Sequence, residues 1–326
     1  MTVLDALVQS EIIVVTMFLT VVGLVFYLDV RVLIPIIWRA TGRRATPSTK
    51  ARLRSPSVLV LVTVSVLGGT CVAYGFLVEP GLIEETRHEV TINRLPKLDT
   101  LLKLVQLSDL HVSGPDSRLN RVALRVREIQ PDLLLMTGDY LNSPRGVPAL
   151  SSFLTSLDMA GRIYAVEGNF DWHGTGWYEA MAAGGVRILE DEKVELSVRG
   201  YDICLIGSRA SLKIREGLLD GSKEDHVNVF MVHHPSAIPQ VAGNEADLIL
   251  CGHTHGGQVR LPFYGALVTL SATGKRFEAG MYELGETRAY VNRGVGTEPY
   301  GRVRFMCRPE VAVFNINGRG DISPIQ

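Results

Sequence analysis

The chain has 326 residues, 46% hydrophobic and 21% charged, with a formal net charge of −1. That length makes one large domain or two ordinary ones. The composition excludes a disordered chain, a collagen-like repeat and a strongly basic nucleic-acid binder, so no nucleic-acid partner is expected. A mean hydropathy of +0.17 is high for a soluble enzyme, and the excess sits at the front of the chain.

Ile12 to Leu28 runs 17 residues without a charge, and Val58 to Val78 runs 21. A bilayer core about 30 Å thick needs roughly 20 apolar residues in a helix. The second run meets that outright. The first reaches it by extending toward Trp38 if Asp29 and Arg31 find interfacial water, with Pro35 kinking the extension. Two transmembrane helices, about 12–37 and 58–78, are therefore expected in an anchor of residues 1–80. A signal peptide is the alternative for the first run, but no basic segment precedes it and no small-residue cleavage site follows it.

Between the runs, Arg31, Arg39, Arg43, Arg44, Lys50, Arg52 and Arg54 occur with no acidic residue from Val30 to Ser57. Such a loop is held on the cytoplasmic side, which sends everything after Val78 out of the cytoplasm. The opposite hairpin, with its basic loop outside, is the competing arrangement. Residues 1–57 carry net +4 and the remainder net −5, a basic greasy front joined to a mildly acidic body. Residues 81–96 read as a linker and 97–326 as one globular domain.

Four cysteines are too few and too scattered for a disulfide framework. Cys71 lies in the second apolar run, Cys204 and Cys251 lie in stretches that read as buried strands, and Cys307 has no obvious partner. There is no Cys-x-x-Cys, so a thiolate zinc site is not expected.

From Leu101 onward, short apolar runs alternate with amphipathic stretches. Leu102–Leu107 reads as a strand, and Leu119, Val122, Ala123, Val126 and Ile129 follow at helical spacing. Pro131 stops that helix and Asp132–Met136 starts a second strand. A helix over Val147–Leu157 precedes a third strand, Arg162–Val166, and a further helix is expected near Trp177–Ala183. Strands then cluster at Tyr201–Ile206, Val227–Val232, Leu248–Cys251, Ala289–Val291 and Val311–Phe314. This order predicts a layered α/β domain, a β-sandwich flanked by helices.

Polar residues gather just past the ends of those strands. Asp109 and His111 follow the first, Gly138 and Asp139 the second, and Gly168 and Asn169 the third. His233 and His234 close the Val227–Val232 run, and Gly252-His253-Thr254-His255 closes Leu248–Cys251. Ligand sites in open α/β sheets lie outside the carboxyl ends of strands. Singly, each residue reads equally as a cap, a turn former or a satisfied core histidine. Five such clusters in register do not. One carboxylate can bridge two cations about 3.5–4 Å apart, and His-x-His on a turn can send one imidazole to each. Carboxylate and amide oxygens with imidazoles suit Mn, Fe or Zn better than Cu(I) or Ca.

The ordered set Asp109-Leu110-His111, Gly138-Asp139, Gly168-Asn169-Phe170-Asp171, His233 and Gly252-His253-Thr254-His255 resembles the calcineurin-like metallophosphoesterase superfamily over roughly residues 100–316. Gly-His-Thr-His-Gly-Gly-Gln-Val (252–259), Leu261-Pro262 and Arg308-Pro309-Glu310 resemble its membrane-anchored bacterial YkuE-like branch. The resemblance implies two divalent metal ions, with Mn favoured. Asp109, His111 and His255 would bind one and Asn169, His233 and His253 the other, with Asp139 bridging. His234 rivals His233, but the family's His-x-Pro spacing, here His233 to Pro235, favours His233. The implied mechanism is in-line attack on phosphorus by a metal-bridging hydroxide.

Where the family's third block has a histidine that assists the leaving group, this chain has Phe170. A general acid is worth about 10²–10⁴-fold and matters most for basic leaving groups. Its loss predicts a preference for anhydrides or activated esters, unless His173 supplies the proton. Bacterial UDP-2,3-diacylglucosamine pyrophosphatases are similar enzymes that also lack this histidine. Their substrate is the specific expectation, although it is made on the cytoplasmic side and the charge count points outward. A broad-specificity envelope phosphodiesterase is the enzymatic alternative, and a non-catalytic metal-binding scaffold is the alternative of another class.

The catalytic set is thus Asp139, Asn169, Asp171 and His173. The expected partners are a phosphorylated amphipathic or lipid-linked molecule and membrane lipid. Arg118, Arg121 and Arg125 share a helix face, with Arg118 and Arg121 as candidates for a lipid phosphate; a solvated face is the plainer reading. Trp172, Trp177 and Tyr178 read either as an apolar lip for acyl chains or as ordinary packing.

Overall fold

A computed structural model describes residues 3–41, 55–171, 176–210, 213–220, 223–243, 246–299 and 301–319. The chain divides into two compact units, residues 1–78 and 79–326.

The first unit is helical. α1 (Val3–Leu28) runs through a π-helical turn, Asp29–Leu33, into α2 (Ile34–Thr41), and α3 (Pro56–Leu77) follows. The widened turn lies next to Pro35, which has no N–H to give to the ladder and would otherwise force a sharper break. Stretches of 21 residues (Ile12–Val32) and 26 residues (Pro56–Gly81) are long and apolar enough to cross a membrane. Asp29 meets a donor within this unit: the Ser65 hydroxyl of α3, also 2.8 Å from Leu61 O, lies 2.7 Å from Asp29 Oδ1. A carboxylate among apolar helices needs such a donor. Residues 42–54 of the basic loop lie outside the described residues.

The second unit is built on two six-stranded sheets. In the first the order is β1 (Glu84–Ile92), β14 (Glu310–Gly318), β2 (Leu102–Leu107), β3 (Leu133–Thr137), β4 (Ile163–Val166), β5 (Val186–Ile188). In the second it is β12 (Gly280–Leu284), β13 (Thr287–Val291), β9 (Leu248–Cys251), β8 (Val227–Met231), β7 (Tyr201–Gly207), β6 (Glu192–Val198). A short hairpin joins β10 (Arg260–Leu261) to β11 (Gly265–Ala266). β2 to β5 run parallel, as do β7, β8, β9 and β13, so their carboxyl ends fall on one edge of each sheet.

Alternation along each strand fixes the layers. Leu102, Leu104, Leu133, Leu135 and Phe314 of the first sheet pack against Ile203, Leu205, Val229, Met231 and Leu250 of the second. The intervening residues Val105, Leu107, Leu134 and Met136 face the other way, toward α4 (Ser117–Ile129) and α5 (Val147–Ser156). In α4, Leu119, Val122, Ala123, Val126 and Ile129 are buried, as their spacing predicts. Its start is set by Asp116, which accepts from Arg118 N–H at 2.9 Å, and its end by Gln130 in a left-handed conformation before Pro131. The second sheet's outer face is covered by Ile238 and Val241 of a short helix, Ile238–Val241, and by Phe277.

One sequence expectation changes. The stretch 81–96, read as a linker, holds β1, whose nine residues pair in parallel with β14. Cys204, Cys251 and Cys307 are free and buried, and Cys307 packs its thiol against His255 O at 3.2 Å.

Candidate metal centre

The turns that leave β2, β3, β4, β8 and β9 converge. Asp109 N–H donates to Gly138 O (2.9 Å), His111 N–H to Asp139 O (3.0 Å) and Gly252 N–H to His233 O (3.0 Å), so the turns are laced to one another through their backbones. Within them Asp109, His111, Asp139, His253 and His255 have φ of 51, 48, 60, 73 and 50°. Each such non-glycine residue costs on the order of 1–3 kcal/mol, which persists only where the surroundings over-determine the conformation. Two glycines permit the close approach. A Cβ on Gly168 would lie 2.2 Å from Asp139 Oδ1, and one on Gly252 would lie 1.9 Å from Ser108 Oγ and 2.5 Å from Asp109 Oδ2.

The ligand atoms meet in two overlapping groups. Those of Asp109, His111 and His255 lie within 4.8 Å of one another, and so do those of Asp109, Asp139 and His233. His111 Nε2 and His255 Nε2 are 3.0 Å apart, and Asp109 Oδ1 is 3.5 Å from His255 Nε2. Asp139 Oδ2 stands 3.5 Å from His111 Nε2 and 3.2 Å from His233 Nε2, facing both groups as a bridging carboxylate must. Asn169 Oδ1 lies 3.0 Å from His233 Nε2 and 2.9 Å from His253 Nδ1. The seven residues Asp109, His111, Asp139, Asn169, His233, His253 and His255 are therefore brought together.

This donor set fits divalent cations. Two donors about 2.0–2.1 Å from one ion, at about 90–110° to each other, lie roughly 3.0–3.4 Å apart, which is the spacing of the two Nε2 atoms. Asp109 and Asp139 are buried, and among the described residues no Lys or Arg pairs with either. Hydrogen bonds to the far ring nitrogens fix the rings. His233 Nδ1 donates to Thr137 O (2.7 Å) and His253 Nε2 to Leu270 O (3.2 Å), which turns His233 Nε2 and His253 Nδ1 inward. His111 Nδ1 lies 2.6 Å from Asn142 Oδ1, with the same result.

Electrostatics agree. Burial opposes charge on His233, yet Asp139 and Asp109 outweigh it and raise its pKa to about 10. An ion that takes that nitrogen displaces a proton. Burial raises the pKa of Asp139, but His233, His111 and the Phe170 N–H more than reverse that and hold it well below the usual carboxylate range. Burial, reinforced by neighbouring cationic groups, lowers His253 to about 4 and pushes His255 down, leaving both neutral. His234, lowered to about 3 mainly by burial, lies tilted against His253 with ring centroids 4.0 Å apart, whereas it is His233 that stands 3.2 Å from Asp139 Oδ2.

A profile of the calcineurin-like phosphoesterase family matches residues 102–257. The metallophosphoesterase YkuE of Bacillus subtilis, itself described as uncharacterized, is 33% identical over 255 residues, 74% of this chain and 88% of that one. The chain belongs to the calcineurin-like phosphoesterase family. Phosphodiesterase YaeI of Escherichia coli is 30% identical over 73% of this chain and 90% of its own length. A Bos taurus protein described as a transmembrane protein with metallophosphoesterase domain is 30% identical over 82% of this chain and 63% of its own. As a calcineurin-like phosphoesterase the chain is a hydrolase of phosphoric ester bonds, and the family's pair of divalent ions has candidate holders in the two ligand groups.

Other sequence expectations fare differently in this calcineurin-like phosphoesterase. Asp171, expected among the catalytic residues, accepts from the backbone, at Asp139 N–H (2.7 Å), Gly168 N–H (2.8 Å) and Tyr140 N–H (2.8 Å). Burial and the neighbouring Asp139 push its pKa up to about 7 against the pull of these three donors, and by accepting from both turns Asp171 staples β3 and β4 together as a positioning residue. Arg118 spends its guanidinium on Asp116, at 2.5 Å, and on Val295 O, at 3.2 Å. The tips of Arg121 reach toward Gly81, where a Cβ would stand 3.8 Å away. Arg118 is thus engaged by protein partners, whereas Arg121 is an exposed side chain. Trp177 is buried, its ring 5.8 Å from that of Tyr140, which is core packing; Trp172 and His173 lie outside the described residues. Sequence reasoning missed Asn142 and Glu298, which stand beside His111 and His255. The glycines of 294–296, past the end of β13, were the available signal for the second.

Proposed function

We propose that the chain is a membrane-associated, dinuclear-metal phosphohydrolase for diester or anhydride bonds whose leaving group needs no added proton, borne by an amphipathic or lipid-linked molecule. The observation that carries this reading is Phe170. Its N–H donates to Asp139 Oδ1 at 2.8 Å, and its ring stands edge-on to His111 with centroids 5.1 Å apart. Phenylalanine there supplies a wall and no proton. The two apolar helices, together with relatives described as transmembrane proteins, support attachment to a bilayer. The name of the phosphodiesterase YaeI supports a diester.

Asp109, His111 and His255 would hold one divalent cation, Asn169, His233 and His253 the other, and Asp139 both, with manganese the favoured metal. Such a pair supplies positive charge for the phosphoryl oxygens and makes water acidic enough to serve as nucleophile at neutral pH. The chain's own contribution is to fix the donors. Thr137 O and Leu270 O hold the rings of His233 and His253, Asn142 that of His111, and Asp171 the turns bearing Asp139 and Asn169. Phe170 screens water from one side of His111.

The test compares UDP-2,3-diacylglucosamine with bis-p-nitrophenyl phosphate, using detergent-solubilised protein with Mn²⁺. Selective UMP release would support the lipid nucleotide and a cytoplasmic catalytic unit. Turnover of the diester alone would support an envelope phosphodiesterase on the outward side, as the charge count favours. Bound metal with no turnover of either would sink the proposal.

A further inference from the structure

The turn after β13 is a sixth element at the carboxyl edge. Val295 N–H donates to Ser108 O (3.0 Å), Gly296 N–H to Asp109 O (2.6 Å) and Glu298 N–H to Gln258 Oε1 (3.0 Å). These bonds dock the turn against the β2 turn and bring Glu298 beside His255, at the margin of the cluster and outside its two close ligand groups. Its Oε1 lies 3.5 Å from His255 Nε2, the same separation as Asp109 Oδ1 from that nitrogen. With His253, His255 and Leu270, Glu298 lines a cavity of about 110 Å³. Its side chain is only 17% exposed, and among the described residues no Lys or Arg pairs with it. A third carboxylate placed beside two buried ones, without a protein cation, is costly unless a bound cation compensates it.

We infer that Glu298 is an additional carboxylate donor at the position formed by Asp109, His111 and His255, and that its charge biases the site toward singly charged phosphodiester groups over doubly charged monoesters. The inference rests on the dinuclear phosphohydrolase reading. Two dications with the carboxylates of Asp109 and Asp139 would leave about +2 before any hydroxide is counted, and Glu298 would lower the total by one. A monoester carries about −1.5 to −2 at neutral pH, whereas a diester or an internal anhydride phosphate carries one charge. The lower central charge penalises the monoester more. Phe170 acts in the same direction, since it offers a dianion no partner.

The test uses full-length protein in detergent, with Mn²⁺ as the probe. Calorimetry and Mn²⁺ electron paramagnetic resonance read metal binding. The ratio of kcat/KM for bis-p-nitrophenyl phosphate to that for p-nitrophenyl phosphate reads selectivity. Wild type is expected to bind two ions. Glu298→Gln is expected to melt like wild type, to lose roughly 10–100-fold in affinity at one position, and to lower the diester-to-monoester ratio by about tenfold; Glu298→Asp should restore most of both. Two ions bound by Glu298→Gln with unchanged affinity, or an unchanged ratio, overturns the inference. A wild type that binds no Mn²⁺ and cleaves neither substrate overturns the dinuclear reading itself.

Discussion

Asp171→Asn separates positioning from chemistry. The buried carboxylate accepts two N–H bonds at Oδ2, from Asp139 and Gly168, and one at Oδ1, from Tyr140. An amide oriented with its oxygen at the Oδ2 position keeps the first two, but its NH₂ then confronts the Tyr140 N–H. A buried unsatisfied donor costs about 1–3 kcal/mol, and the two retained bonds lose their charge assistance, on the order of 1 kcal/mol each. The expected destabilisation is roughly 3–5 kcal/mol. At about 2–4 °C per kcal/mol for a unit of this size, the melting temperature should fall by roughly 6–20 °C. Asp139 and Asn169 sit on the two turns that Asp171 joins, and misplacing reacting groups by about 1 Å costs on the order of 100-fold in rate. Thermal unfolding and bis-p-nitrophenyl phosphate turnover should therefore fall together, along with Mn²⁺ affinity. A variant that melts and binds Mn²⁺ like wild type yet fails to turn over would refute this reasoning and return Asp171 to the chemistry.

Three further substitutions probe other parts of the unit. Gly252→Ala, whose Cβ would stand 2.5 Å from Asp109 Oδ2, should cost about 1–3 kcal/mol through overpacking and weaken Mn²⁺ binding; wild-type metal affinity in calorimetry would contradict the crowding argument. Phe170→His should raise kcat on alkyl phosphodiesters by about 10²-fold or more if the missing proton donor limits the rate, and a fall on every substrate would count against that view. Glu310 is buried and accepts from Arg293 Nη2 (2.7 Å), Tyr290 (2.9 Å) and Thr86 (3.0 Å), so Glu310→Ala should lose about 3–5 kcal/mol in urea unfolding. Burial raises the pKa of Glu310, but Arg293 outweighs it and the net shift is down. Its stabilisation is thus fully present above the ordinary glutamate pKa and is lost as pH falls through the lower folded value. The gap between wild type and variant should close on acidification below about pH 4; a gap that widens there would contradict the assignment.

The parts of the fold legible in the sequence are those set by local pattern. The strand Leu102–Leu107, the strand Leu248–Cys251 and the buried stripe of α4 are where periodicity places them, because each is buried by residues of its own element's spacing. The seven candidate ligand residues were legible because each follows an apolar strand, and backbone order alone brings strand ends together. β1 was not. Glu84-Glu85-Thr-Arg87-His-Glu89 offers no apolar run, and the partner that makes it a strand is β14, more than two hundred residues away. The role of Asp171 was hidden because type and position do not reveal which way a carboxylate points, and three backbone donors decided it. The engagement of Arg118 was hidden for the same kind of reason, since helical spacing does not show that its neighbour Asp116 holds the guanidinium.

The strand order of the first sheet also sets a timetable. β14 lies between β1 and β2, so the last strand made must enter between the first two. At about 5–20 residues per second, the ribosome needs roughly 10–45 s to travel from β1 to β14. For that interval both flanking strands offer an unpaired edge, the usual template for association with other chains. The Glu84, Glu85, Arg87 and Glu89 charges on β1 suit a strand that must wait. A chain stopped before Glu310 should remain open to protease at residues 84–92 and aggregate, whereas a protected strand in that truncation would show that β1 finds its place without its partner.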